Sequence, residues 1–227
     1  MQLKAPKINA SYRLLFSRPA LELLSNAARI MESLVKSIAT QFPIQSQDLR
    51  IANSVVAGEV SVSLQIFGGN GRIKISVDSI EADFDNISGR NDVQIVTNAL
   101  DLMAKGVGPF FADVPVSREQ LSTNIIYKVE GGKSAILQYF SRVVVPGKLE
   151  AFTDRGIKLT KRDGSRALLQ VSVEPYWSDE ESILLYISHE LSSSVRKSTF
   201  PEKIKEYETV ASNTFSELDL TVLAEGG

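Results

Sequence analysis

The sharpest local pattern in the chain is Gly132-Lys133-Ser134, which matches the last three positions of a phosphate-cradling loop. In such a loop backbone N–H groups wrap the phosphate oxygens and the lysine balances their charge. The loop also needs a glycine at position 127, and the chain has Tyr127 there. Gly131 and Gly132 are therefore expected to form a tight strand-to-helix turn. A looser anion site at Gly131, Gly132, Lys133 and Ser134 is the alternative. His189 is the only histidine, and there is no cysteine. These counts exclude disulfides, cysteine catalysis and nearly all zinc sites. As a general base His189 would need an acid or nucleophile close in space. Its neighbour Glu190 points to the opposite face of a strand, so His189 is expected to cap an apolar stripe.

Two charged clusters carry weaker signals. Glu81, Asp83 and Asp85 alternate along one strand face with Asp78 nearby, an oxygen-rich arrangement that can hold calcium or magnesium. Ile87 and Ser88 break the EF-hand spacing, so solvated charges that protect a sheet are the expectation, with no metal and no cofactor. Arg155, Lys158, Lys161, Arg162 and Arg166 form a basic hairpin interrupted by Asp163. Nucleic-acid binders interleave aromatic side chains with such cations. Here Tyr176 and Trp177 lie outside the patch, and Asp179, Glu180 and Glu181 follow them.

The elements that would position these residues follow from periodicity. In 227 residues, 43% hydrophobic and 23% charged with a net charge of −2, there is material for a sizeable core and no strongly basic coat. Leu24, Ala27, Ala28, Met31, Leu34, Val35, Ile38 and Phe42 recur at helical spacing over 19–42, with Ser17 as the expected N-cap and Pro43 as the stop. A short strand is predicted over 12–16 and a less regular one over 49–55, and strict alternation marks strands over 59–67, 72–78 and 80–85, with Gly68-Gly69-Asn70-Gly71 as a turn between the first two of these. A second helix is predicted over 90–105. The glycines and prolines of 106–122 suggest a boundary.

A strand at 124–129, a helix at 133–145, four strands near 148–152, 156–160, 166–173 and 182–189, and a helix at 201–218 complete the order. The chain thus reads as α+β, in two halves of order β-α-β-β-β-β-α with antiparallel sheets covered by helices. The divisions are 1–108, a linker at 109–122, and 123–227. That order resembles the repeat of the TATA-binding-protein-like fold, which also contains helix-grip ligand binders. The resemblance is one of element order alone and transfers no function.

Leu184 and Tyr186 lie opposite the apolar stripe of Ile183, Leu185 and Ile187, and Leu168 interrupts the polar series Gln170, Ser172 and Glu174. An apolar patch on a wet sheet face marks an interface or ligand site. The expected role is accordingly a non-enzymatic, cytoplasmic binding protein that holds a protein partner or small apolar ligand through Leu168, Leu184 and Tyr186, in a form compatible with homo-oligomers. Nucleic-acid or nucleotide binding through Lys158, Lys161, Arg162 and the Gly131 turn is the alternative. No targeting signal or membrane span is expected.

Overall fold

The structure is a computed structural model in which residues 1–54, 56–87, 90–143, 156–163, 166–192 and 195–222 are described. The chain is α+β, built on antiparallel sheet with four α-helices among the described residues. It divides into two compact units. The N-terminal unit comprises Ala10–Leu121 and Leu191–Ile204; the C-terminal unit comprises Met1–Asn9, Ser122–Glu190 and Lys205–Gly227. No helix among the described residues is long and apolar enough to cross a membrane.

The N-terminal unit takes its sheet from β1 (Gln2–Phe16), β2 (Leu49–Ala52), β3 (Ser61–Ile66), β4 (Gly71–Ser76), β5 (Ser79–Ile87) and β6 (Val116–Val129), in the order β2-β3-β4-β5-β1-β6. Antiparallel registers such as Val62↔Ile75 and Ile73↔Ala82 put Val62, Leu64, Ile73, Ile75, Ala82 and Phe84 on one buried face. Helices α1 (Glu22–Ile38) and α2 (Arg90–Phe111) cover that face. They approach closely at Gly106, where an added Cβ would lie 3.0 Å from the Ser33 carbonyl oxygen. Ser33 Oγ donates to Gly106 O at 2.7 Å and Ser37 Oγ to Leu102 O at 2.6 Å.

Two details of α1 differ from the sequence expectation. The N-cap is Leu21, and the Ser17 hydroxyl donates instead to Pro115 O, because the chain first continues β1 and only then turns. The buried stripe is Leu23, Ile30, Met31, Leu34 and Ile38, whereas Leu24 is 44% exposed.

The C-terminal unit takes residues from β1 and β6 and adds β7 (Ile157–Asp163), β8 (Arg166–Pro175) and β9 (Ser182–Glu190), in the order β1-β6-β9-β8-β7. The short β10 (Thr221–Val222) runs parallel to β1. Helix α3 (Gly132–Val143) buries Ile136, Tyr139 and Phe140. Helix α4 (Phe200–Glu217) has its Tyr207 hydroxyl donating to Ile187 O at 3.1 Å. The expected strand at 148–152 and the turn residues 164–165 lie outside the described residues. The expected repeat of one element order is not established by the elements that are described.

Candidate functional site

Register fixes which side chains of the C-terminal sheet share a face. Leu169 pairs with Lys161 on one side and His189 on the other, so Lys161, Leu169 and His189 form a row across three strands. Leu159, Val171 and Ile187 form the next row. Adjacent strands are about 4.8 Å apart, which puts the Lys161 and His189 backbones roughly 10 Å apart with Leu169 between them.

A cleft of about 370 Å³ opens over the Lys161–Leu169 end of this row, between β7–β8 and α4, and His189 is outside its lining. Its floor is Leu159, Leu169 and Val171, its roof Val210 and Leu218. Lys161, Asn213, Thr214 and Glu217 bring polar groups into the lining. A few convergent polar groups around an apolar bed are the ordinary make-up of a small-molecule site.

His189 stands one strand beyond Leu169, and its Nε2 lies 2.9 Å from Glu206 Oε1. Glu206 comes from α4, four residues before Val210 in the cleft roof. A carboxylate only accepts hydrogen bonds, so Nε2 carries the proton and donates it. That leaves Nδ1 as the basic nitrogen of the neutral ring. Nδ1 is buried and has no partner among the described residues. Sequence alone could not supply this acid. His189 lies on a strand and Glu206 on the next helix, and only the packing of α4 onto β9 brings them together.

The other predicted residues are dispersed. Leu168, Leu184 and Tyr186 are half-buried, with Leu184 and Tyr186 opposite Glu174 and Ser172 on the face away from Lys161 and His189. Lys158 shares that face, whereas Lys161 is on the cleft face, and a register shift follows between Lys161 and Arg162. The basic hairpin is therefore split over two faces. Gly131 and Gly132 have φ of +85° and +56° and turn the chain from β6 into α3. Lys133 there pairs with Glu180 at 2.7 Å, with Glu181 beside Gly132. In the N-terminal unit Glu81 pairs with Arg13 at 2.6 Å and Asp83 with Arg72 at 2.8 Å. Among the described residues no group of three or more His, Cys, Asp or Glu is placed to hold a metal ion.

The chain matches no protein-family model, and no curated protein matches it. Among solved structures it is similar to the crystal structure of putative monooxygenase from Lactobacillus acidophilus NCFM, 9% identical over 90% of this chain and 88% of that one, with a TM-score of 0.23. A likeness that slight carries no activity from that protein to this one. The expectation of a non-enzymatic binding protein, with nucleic acid as the alternative, is not supported by the placement of the residues it named. That expectation is corrected. The apolar trio is half-buried, the cations are divided between two sheet faces, and the one histidine has an acid partner one strand away from a cleft floor.

Proposed function

We propose that the C-terminal unit is an acid–base site for a small carbonyl compound, with His189 as the base and Glu206 as the group that fixes its tautomer. The observation that carries this is the buried Nδ1 of His189, which has no partner among the described residues and whose strand is next to the Leu169 floor of the cleft. A keto acid suits the lining. Its apolar body would lie over Leu169 and Val171, and its carboxylate would meet the Lys161 ammonium. A proton from the carbon next to its ketone would pass to Nδ1. The enolate so formed would be balanced by Lys161, and return of the proton to carbon closes the cycle.

Phenylpyruvate in D2O tests the assignment, read as deuterium incorporation at its benzylic carbon, next to the ketone, above the buffer rate. Incorporation should fall by about 10²-fold or more in His189→Gln, in line with the usual contribution of a positioned base. Because the chain has one histidine, its long-range 1H–15N spectrum is unambiguous and should show the proton on Nε2. A proton on Nδ1, or exchange no faster than buffer for the wild-type protein, would refute the proposal.

A further inference from the structure

Tyr207 follows Glu206 on α4, and its side chain is buried. Its hydroxyl has two partners, Ile187 O at 3.1 Å and Thr123 Oγ1 at 2.6 Å. A phenol has one proton to give, and a carbonyl oxygen only accepts. The phenol proton therefore goes to Ile187 O, and the Thr123 hydroxyl donates to the phenol oxygen. Burial drives the phenol well above its ordinary value, so it keeps that proton. Ile187 lies on β9 and Thr123 on the neighbouring β6, so one hydroxyl spans the seam between two strands. Thr123, Ile187, His189, Glu206 and Tyr207 all belong to the C-terminal unit.

Ile187 and His189 are next-but-one residues of β9, so they share a face and stand roughly 7 Å apart along the strand. Glu206 and Tyr207 are consecutive on α4 and point about 100° apart around its axis. The helix thus meets this face of β9 at two points, Glu206 on His189 and Tyr207 on Ile187. With one contact alone a helix can still roll about its axis. At a side-chain radius of about 6 Å, a roll of about 20° carries a carboxylate about 2 Å sideways. The 2.9 Å bond to Nε2 does not survive such a shift. The second contact removes that freedom.

We infer that Tyr207 is a positioning residue for the His189–Glu206 pair: its hydroxyl, held by Ile187 and Thr123, fixes the roll of α4 that delivers the Glu206 carboxylate to Nε2. Tyr207 acts through Glu206 and is itself outside the cleft lining, so it touches no reacting atom. The inference rests on the acid–base reading of His189 only where turnover is concerned. The geometry of the pair belongs to the protein without substrate.

Exchange of the His189 Nε2–H proton with water, measured in 1H–15N spectra of the full chain, tests it. Tyr207→Phe keeps the ring and loses the hydroxyl. Exchange should then rise by about two- to tenfold, the range expected for one hydrogen bond, while the backbone amides of β9 keep their protection. Thr123→Val removes the donor to the phenol oxygen and should act in the same direction. Thr123→Ser keeps a hydroxyl there and should behave as wild type. In the phenylpyruvate assay Tyr207→Phe should lower kcat by a similar factor and leave KM unchanged, because Lys161 and the apolar floor are untouched. A Tyr207→Phe variant whose Nε2–H exchanges as in wild type would overturn the inference. A rise shared equally by the β9 amides would do the same, since it marks lost stability and not lost positioning. Should Tyr207→Phe fail to fold, Thr123→Val carries the same test. Absence of turnover in the wild-type protein, with the exchange effect intact, would strike the acid–base reading and leave the positioning of the pair standing.

Discussion

Replacing Lys203 with methionine probes a buried charge that hydropathy would have placed at the surface. Lys203 Nζ lies 2.6 Å from Glu119 Oε1, with side-chain exposures of 8% and 2%. The Tyr12 hydroxyl donates to the same Glu119 oxygen at 2.7 Å, and the ammonium sits 4.8 Å from the Phe200 ring centroid. Methionine keeps most of the stem that packs there but leaves the Glu119 carboxylate without its cation. Breaking one side of a buried pair costs about 3–5 kcal/mol, because the remaining charge has neither water nor a countercharge. Against a typical total of about 5–15 kcal/mol this is about a fifth of the stability or more. Lys203→Met combined with Glu119→Gln removes both charges and still leaves an acceptor for Tyr12, so the double variant should recover most of the loss. Urea unfolding followed by far-UV circular dichroism measures both. Trp177, the one tryptophan, is 89% exposed and makes a poor fluorescence probe. A single variant within about 1 kcal/mol of wild type, or a double variant no better than the single, would refute the reasoning.

Burial pushes Tyr127 and Tyr139 up to about 12, the latter with help from the Asp219 charge, and burial with the Glu119 carboxylate drives Tyr12 well above its ordinary value. These folded-state values lie above the unfolded value of about 10, so the stabilisation is complete below pH 10 and drains away as pH rises through 12. The urea midpoint should therefore fall between pH 10 and 12, and absorbance at 295 nm should show the phenols ionising later in the folded protein than in denaturant. A flat midpoint over that range would contradict this. Gly71→Ala should cost about 1–3 kcal/mol, since its Cβ would lie 2.7 Å from Ile66 Cγ1 and 2.9 Å from Phe67 Cδ2. Gly58→Ala, with nothing within 4 Å, is the control and should stay within about 0.5 kcal/mol by thermal unfolding.

Where a hydrophobic pattern was complete, the sequence read true. The alternation of Val62, Leu64, Ile73 and Ile75 placed β3 and β4 to within a residue or two, and Met31, Leu34 and Ile38 placed α1. The failures share one cause, pairing across long sequence separations. β1 begins at Gln2, not near Tyr12, although its first half contains Lys4, Pro6 and Lys7 and no alternation. What makes it a strand is its neighbours, through bonds such as Glu130 N–H to Gln2 O. The last helix was expected to bury Ile204, Tyr207, Ala211, Phe215 and Leu218; Tyr207 and Leu218 are buried and the other three only in part, while Lys203 and Thr214 are buried too, the lysine because Glu119 of β6 receives it. The candidate site was half legible for the same reason. His189 stood out as the lone histidine but was read as the cap of an apolar stripe, while its bond to Glu206 and the Lys161–Leu169–His189 row exist only through register and helix packing.

The two hydroxyl bonds between α1 and α2 bear on how that layer can move. Ser33 and Ser37 are one turn apart on α1, and their acceptors, Gly106 and Leu102, are one turn apart on α2 in the opposite sense. Sliding one helix past the other by a turn, about 5.4 Å, would break both bonds and bring a larger residue to the point where only Gly106 fits. Shear along this interface is therefore blocked at two rungs and at the contact between them. The pair can open only by lifting apart, which exposes Leu34, Leu100 and Met103 together. Amide hydrogens along both helices should then exchange as one cooperative block, with a common opening free energy, and not as two helices fraying on their own schedules.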